Sequence, residues 1–329
     1  MNFLKNKTIL ITGGTGSFGN AALEFLTKEC KPKKIIIFSR DENKQYEMQK
    51  KFKNKNLRFF LCDIRDEERL LHAFKDVDYV VHAAAQKHVP AAEYNPFECI
   101  KTNINGAQSI ISACLKTKVK KVVALSTDKA CNPINLYGAT KLCAEKLFIN
   151  ANQLSGEGGT KFSVVRYGNV IASRGSVIPF FKELVEKKAK FLPLTHNDMT
   201  RFFITLPDSV RFVFNNLRTI SGGEIIIPKM NSILIKDIIK IISFKSKSKI
   251  KIVGIRPGEK IHEILYSKDE SDQVYETNNS FKIYPSYKHN RKKTGKKVSK
   301  DFEYTSNSKK YLNKQAIFKL IKKSKVLSQ

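Results

Sequence analysis

Short apolar runs rich in β-branched residues recur through the first half of the chain: KTILITG (7–13), KKIIIFS (33–39), LRFFLCD (57–63), DYVVHAA (78–84), KVVALST (121–127) and FSVVRYG (162–168). Apolar runs of this length predict strands buried on both faces. Between most of them lie stretches with apolar positions at helical spacing, such as AALEFLTKE, RDEERLLHAF and the long PFECIKTNINGAQSIISACLK. Strand alternating with helix in this way predicts an α/β fold, a doubly wound parallel sheet covered by helices on both faces. Ligands of such a sheet bind beyond the carboxyl ends of its strands.

After about residue 170 the rhythm loosens into loops at NVIASRGS and LPLTHNDMTRFF, a helix around PDSVRFVFNNL and a strand–helix unit around EIIIPKMNSILIKDIIKII. The expected division is a dinucleotide-binding domain over 1–170, with a return segment near 200–229, and a smaller, discontinuous substrate lobe over most of 171–329 with a basic C-terminal tail. Residues 286–308 are the expected mobile surface segment.

The first strand ends in TGGTGSFG, where glycines 13, 14, 16 and 19 open the following helix. A glycine-rich turn between the first strand and helix of an alternating chain marks a Rossmann-type sheet, because backbone N–H groups at the helix N-terminus can face a pyrophosphate. The candidate cofactor contacts here are Gly13, Thr15, Gly16, Ser17, Phe18 and Gly19. The second strand ends in Ser39 and Arg40. An acidic residue there would bond both ribose hydroxyls of NAD, whereas Arg40, with Lys44 a turn further on, suits the 2′-phosphate of NADP. Asp41 argues the other way, so NADP is expected over NAD with NAD left open. Asp63 and Ile64 end the third strand where an adenine would sit, and Ala83 to Ala85 offer small side chains to the cofactor.

Tyr137 and Lys141 stand four apart in the helix-like YGATKLCAEKLF and so share one face. A phenol of ordinary pKa near 10 is a poor base at neutral pH, but an ammonium one turn away would favour its phenolate. STDK, ending the preceding strand, adds Asp128 and Lys129. An acid beside a base can serve elimination, provided that burial or a neighbouring positive charge, with Lys141 and an oxidised nicotinamide as the expected sources, lowers the lysine enough to make it neutral. The alternative is a strand cap in which the two pair with each other or with neighbours.

Composition adds exclusions. The formal charge of +30 suggests a polyanionic partner. Lysine is spread along the whole chain, however, and the densest run, KHNRKKTGKK (288–297), carries no interleaved aromatic residues to stack on bases. Nucleic acid is therefore not expected as a partner. The six cysteines and six histidines form no metal-ligand spacing, so no metal is expected. No apolar run approaches a membrane span, and the N-terminus lacks a signal-peptide pattern, so a cytoplasmic protein without membrane contact is expected.

TGGTGSFG, the Y-x-x-x-K pair and the alternating sheet together resemble an extended short-chain dehydrogenase/reductase. STDKACNPINLYGATK resembles, within it, the inverting UDP-N-acetylglucosamine 4,6-dehydratases that begin pseudaminic acid synthesis for surface or flagellin glycosylation. HAAAQKHVPAAEYNPFECIKTNINGA, RYGNVIASRGSVIPFF, MTRFFITL and VGIRPGEKIHEIL look like that family's segments in the expected order. The resemblance implies an NADP-dependent hydro-lyase acting on UDP-N-acetylglucosamine and a homo-oligomer, with a hexamer as one suggested form. In the implied cycle Tyr137 removes the carbon 4 hydroxyl proton, Lys129, if neutral, the carbon 5 proton, and Asp128 or a water bound by Lys129 protonates the departing carbon 6 hydroxyl. Lys87 and Asn169 would face cofactor and sugar, Val177 and Thr195 would line the nucleotide-sugar site, and Arg201, Arg256 and Glu259 would hold the UDP end. A retaining dehydratase or a nucleotide-sugar 4-epimerase is the enzymatic alternative, and an NADP-sensing or nucleic-acid-binding module the non-enzymatic one.

Overall fold

The computed structural model describes residues 1–171, 173, 175–287, 293–307 and 311–324. Strand β1 (Thr8–Thr12), buried at every position, turns into helix α1 (Ser17–Glu29), and the alternation then runs β2 (Lys34–Ser39), α2 (Glu42–Lys51), β3 (Leu57–Leu61), α3 (Glu67–Phe74) and β4 (Tyr79–His82). It continues through α4 (Val89–Tyr94), α5 (Pro96–Ile100), α6 (Gly106–Lys116), β5 (Lys121–Thr127), α7 (Leu136–Leu154) and β6 (Lys161–Tyr167). These six strands pair in parallel in the order β3-β2-β1-β4-β5-β6. The order reverses between β1 and β4, so a crevice opens there at the carboxyl ends of the strands. Helix starts are set locally. Asp41 and Asp66 accept from the Lys44 and Arg69 N–H groups to cap α2 and α3, and Asn135 accepts from Gly138 N at 2.8 Å to cap α7.

The helix expected over PFECIKTNINGAQSIISACLK is interrupted. Lys101–Asn105 forms a π turn between α5 and α6. The wider turn carries Asn103 inward, where its Nδ2 donates to Gln86 O and Thr140 Oγ1, both at 3.0 Å, while Gln86 N donates to its Oδ1 at 2.9 Å. Single π turns of this kind cluster at functional sites.

The second half adds β7 (Asn169–Val170), α8 (Val177–Glu186), β8 (Phe191–Leu194), β9 (Thr200–Ile204), α9 (Leu206–Thr219), β10 (Ile225–Pro228), β11 (Asn231–Leu234) and α10 (Ile235–Ile242). It ends with β12 (Lys249–Ile252), β13 (Ile264–Tyr266), β14 (Val274–Glu276), β15 (Ser280–Ile283), β16 (Lys296–Lys297), β17 (Tyr304–Thr305) and α11 (Lys314–Lys323). The chain re-enters the main sheet at β10, parallel to β6, and again at β15, β14 and β16, which extend it antiparallel to ten strands. α9 packs on α1, with Phe25 and Phe214 stacked at 5.5 Å. A separate apolar cluster, including Ile178, Phe181, Leu192, Phe203, Ile238 and Ile239, holds the smaller lobe together.

Two features of the tail differ from expectation. Residues 288–292 and 308 of the stretch expected to be mobile lie outside the described residues, but Lys296–Lys297 pairs with Tyr275–Glu276 as an edge strand. Lysines are suited to such an edge, because their charge opposes pairing with another sheet. The basic C-terminal stretch is helical over α11, anchored by the buried Ile317 and Ile321 on the lobe's core.

The largest fully buried side chain is Arg166 on β6. Its guanidinium donates to both carboxylate oxygens of Glu145 on α7 (3.0 and 2.6 Å), to both of Glu270 (3.0 Å each) and to Leu265 O (2.8 Å). Removing one partner from such a cluster leaves charge buried and unpaired, which costs about 3–5 kcal/mol. Arg166→Met is therefore expected to lose stability of that size in urea unfolding, and pairing it with Glu145→Gln should recover part of the loss. Equal stability of parent and Arg166→Met would refute this account.

Candidate active site

The crevice at the carboxyl ends of β1, β2 and β4 contains a cavity of about 280 Å³ lined by Gly13, Thr15, Ser39, Arg40, Asp41, Lys44, Cys62, Asp63, Ile64, Ala84, Ala85, Gln86 and Thr102. Gly13 has φ +62, and a Cβ on it would stand 2.8 Å from the Ala84 backbone. At Gly19 a Cβ would meet Gly14 O at 2.0 Å, so only glycine lets α1 approach the turn this closely. Gly16 is the N-cap of α1 and has no side chain to satisfy the first turn, the arrangement that suits a phosphate. Ser17, Phe18 and Gly19 form that first turn, and Phe18 packs its ring on the core beneath. Ala83 does not line the cavity. Its N–H donates to Thr12 O and its side chain packs on the core, whereas Ala84 and Ala85, past the end of β4, line the crevice.

At the rim, Arg40 Nη1 lies 3.5 Å from Asp63 Oδ2. Burial pushes the Asp63 carboxyl up, but bonds from Arg65 and the charge of Arg40 outweigh it and hold the group below its usual range. Asp41, the acidic neighbour that counted against NADP, spends its carboxylate on capping α2 and pairing with the Lys44 ammonium. The cavity's donors and glycine turn thus fit a dinucleotide, with two cations where β2 ends.

The reaction-type residues gather at the end of β5. Thr127 donates to Asp128 Oδ1 at 3.0 Å. Asp128 is fully buried, and its Oδ2 has no hydrogen-bond partner among the described residues. Lys129 Nζ sits between two carboxylates, 3.0 Å from Asp128 Oδ1 and 3.1 Å from Glu263 Oε1. Arg201 on β9 reaches the second of these, its Nε 3.5 Å from Glu263 Oε1 and its Nη2 3.5 Å from Glu259 Oε1.

This geometry bears on the condition that Lys129 be neutral to act as base. Burial alone would lower its pKa, but the carboxylates of Asp128 and Glu263 outweigh burial and the opposing Arg201 charge, so the ammonium is held well above its ordinary value. The charge that lowers it is that of Arg201. Burial pushes the Asp128 carboxyl up, with Lys129 opposing and Glu263 reinforcing. Glu263 is held below its usual range, since Lys129 and Arg201 together outweigh its burial.

Tyr137 and Lys141 lie on the buried side of α7, as their spacing requires. Burial pushes the Tyr137 phenol up to about 12, while the Lys129 charge and a hydrogen bond with Thr127 pull the other way. The cation that favours its phenolate is thus Lys129. Lys141, the expected source, is brought down to about 8 by burial, and its Nζ donates to Leu125 O at 2.8 Å.

The remaining candidates divide. Asn169 lies next to the centre, since a Cβ on the adjoining Gly168 would stand 3.1 Å from Asp128 Oδ2, and its own Oδ1 is buried without a hydrogen-bond partner among the described residues. Lys87 is exposed just ahead of α4. Arg201 is buried and already donates to Thr200 O (2.7 Å) and Ile261 O (3.0 Å). Arg256 is exposed on the turn whose carbonyl accepts from Glu259 N. Val177 packs at the start of α8 against the lobe's core, and the Thr195 hydroxyl is buried on Met199 Sδ at 3.1 Å. Sequence reasoning missed Glu263, Asn103 and Thr127. Glu263 had one legible signal: a lone acid within the apolar run IHEILY is a buried charge that needs a partner.

Residues 9–285 match the model of the family described as polysaccharide biosynthesis protein. The chain belongs to this family. Among its relatives, a UDP-N-acetylglucosamine 4,6-dehydratase (inverting) of Campylobacter jejuni subsp. jejuni serotype O:2 is 53% identical over 312 residues, covering 92% of this chain and 93% of the relative. A UDP-glucose 4-epimerase of Rickettsia bellii is 42% identical over 329 residues, covering 96% and 95%. The X-ray structure of Pen from Bacillus thuringiensis superposes with a TM-score of 0.91 at 38% identity, covering 98% of this chain and 99% of that one. The expectation of an α/β Rossmann-type sheet in the short-chain dehydrogenase/reductase mould holds.

The depressed Lys141 ties stability to pH in this family member. Its folded pKa of about 8 lies below the ordinary 10.5, so between those values the unfolded chain binds the extra proton and stability rises with pH. Relative to Lys141→Met, the parent should gain on the order of 3 kcal/mol between about pH 8 and 10.5. Urea midpoints across that window measure it, and a pH-independent difference would refute the shift.

Proposed function

We propose that this chain is a UDP-N-acetylglucosamine 4,6-dehydratase that inverts carbon 5 and releases a 4-keto-6-deoxy sugar nucleotide for pseudaminic acid synthesis. The observation that carries the reading is the Asp128–Lys129 pair, bonded at 3.0 Å, with Lys129 near enough to Tyr137 for its charge to act on the phenol. A 4-epimerase, the second reading, is favoured by the 42% identity to a protein of that name. Epimerisation at carbon 4 needs a base for one hydroxyl proton, and an adjacent acid–base pair has no step to perform in it. Two cations at the end of β2, with Asp41 engaged in capping, support NADP over NAD. Tyr94 and Phe97, 86% and 74% exposed on α4 and α5, support a homo-oligomer. Free cysteines among the described residues suit a reducing compartment such as the cytoplasm.

NADP, when bound, supplies the hydride acceptor for carbon 4 and the donor for carbon 6. Tyr137 as phenolate takes the carbon 4 hydroxyl proton, helped by the positive charge of Lys129. The resulting ketone acidifies the carbon 5 proton. In the resting site Lys129 is charged, so its proton must move first, and the 3.0 Å bond to Asp128 offers the path. That one transfer turns an ion pair into an amine and a carboxylic acid, the base and acid that elimination needs. Lys129 Nζ then takes the carbon 5 proton, and Asp128 gives its proton to the carbon 6 hydroxyl, which leaves as water. Asn169 would orient the sugar, Lys87 would face both cofactor and sugar, Val177 and Thr195 would line the nucleotide-sugar site, and Arg256 with Arg201 and Glu259 would hold the UDP end.

Incubation with UDP-N-acetylglucosamine in deuterated water, followed by NMR, tests the reading. A new methyl group with deuterium at carbon 5 in inverted configuration is expected, whereas a 4-epimer with no loss of water would establish the second reading instead. Lys129→Ala should slow carbon 5 exchange about 100-fold or more while NADP still binds. Exchange at the parent rate would remove Lys129 from the role of base.

A further inference from the structure

Glu263 stands outside the pair just described, yet it is the second carboxylate on the same ammonium. It is 2% exposed, its Oε1 lies 3.1 Å from Lys129 Nζ, and its Oε2 is buried without a hydrogen-bond partner among the described residues. Its backbone is fixed on both sides, Glu263 N donating to Ser306 Oγ at 2.9 Å and Ser306 N to Glu263 O at 2.8 Å. A rigidly held, fully buried carboxylate is costly unless it is paired. Here the pair it makes is with the group assigned as base.

Resting on the dehydratase reading, we propose that Glu263 is a positioning residue of the elimination: its fixed negative charge retains one mobile proton on the Asp128–Lys129 pair and holds Lys129 Nζ in place as that proton passes between them. Asp128 and Lys129 lie on the turn after β5, and Glu263 faces them from just before β13. The other charged or titratable groups acting on this cluster are Tyr137 from α7, Arg201 from β9, and Lys260 and Glu259 from the loop before β13. Two protons on the pair leave no base and none leaves no acid, so the reactive form carries one, and the two apparent pKa values belong to the pair. A neighbouring negative charge favours the protonated form of both members. Glu263 therefore moves both limbs of the pH profile upward together, and neutralising it should move both down.

The test uses Glu263→Gln, which keeps shape and a polar contact but removes the charge, and Glu263→Asp, which restores it. Carbon 5 deuterium exchange from UDP-N-acetylglucosamine is followed against pH, and acylation of Lys129 by acetic anhydride is followed at pH 9 by peptide mass spectrometry. The quarter-exposed Lys129 side chain is open to such a reagent. Glu263→Gln should shift the whole exchange bell to lower pH and acylate Lys129 about tenfold or more faster than the parent, one pKa unit being tenfold, with Glu263→Asp returning toward the parent. A bell that only loses height, with unchanged acylation, would reduce Glu263 to a packing role and overturn the proposal. Acylation of parent Lys129 as fast as that of fully exposed lysines would overturn it without any variant. A parent that acylates slowly but shows no exchange sinks the dehydratase reading and leaves the charge assignment of Glu263 standing on the acylation result.

Discussion

A buried charge has to be met by an opposite one, and in this protein one segment meets three of them. Residues 258–270 supply Glu263 to Lys129, Glu259 and Glu263 to Arg201, and Glu270 to Arg166. The same segment is tied down by further hydrogen bonds, from Asn135 Nδ2 to Gly258 O, from Lys260 Nζ to Cys131 O and from Thr200 N to Ile261 O. Each of those contacts lands on the turn after β5, the cap of α7 or the start of β9. The segment therefore joins the sheet domain to the smaller lobe where the reaction-type residues stand, and the protonation state of Lys129 is set by the same residues that hold the two parts together.

The approach of α7 to the turn after β5 follows from the same packing. A Cβ on Gly138 would lie 2.2 Å from Lys129 O, so this glycine allows the first turn of the helix to rest on the Asp128–Lys129 backbone. Asn135 caps the helix at that point while its amide holds Gly258. Tyr137, two residues past the cap, is thereby placed where the Lys129 charge lowers its phenol. A phenol pushed up to about 12 by burial and a lysine raised by carboxylates are each poor bases alone. Held together, the lysine's charge aids the tyrosine, and its proton has a nearby acceptor in Asp128.

How much of this was legible depended on range. Strand positions, the glycine turn and the Tyr137–Lys141 face came from local periodicity, because residues buried on both faces of a parallel strand have to be apolar in series. Arg40, Lys44 and Asp63 could be placed because they end predicted strands or follow them directly. The π turn at 101–105 could not, since it depends on Asn103 meeting Gln86 and Thr140. The charge on Lys129 could not be read for the same reason. Its determining partner, Glu263, is 134 residues away by subtraction of the two positions, and spacing rules carry no information at that distance. Ala83 packs on the core while its neighbours Ala84 and Ala85 line the cavity, a difference between adjacent alanines that the run of small residues does not reveal.

The large positive charge and the chemistry of the site belong to different parts of the molecule. Asp128, Glu263 and Glu259 stand against Lys129 and Arg201 in this cluster, so carboxylates meet the cations around the base although the chain carries +30. The excess lies on surfaces such as the edge strand at Lys296–Lys297 and the last turn of α11, where lysines are solvated. Exposed charges more than about 8 Å away are largely screened at physiological ionic strength, whereas buried neighbours about 3 Å away are not. The lysine-biased surface is thus free to vary without disturbing Lys129, and the sensitivity of the site is confined to its few buried partners, of which Glu263 is the one contributed from the far end of the chain.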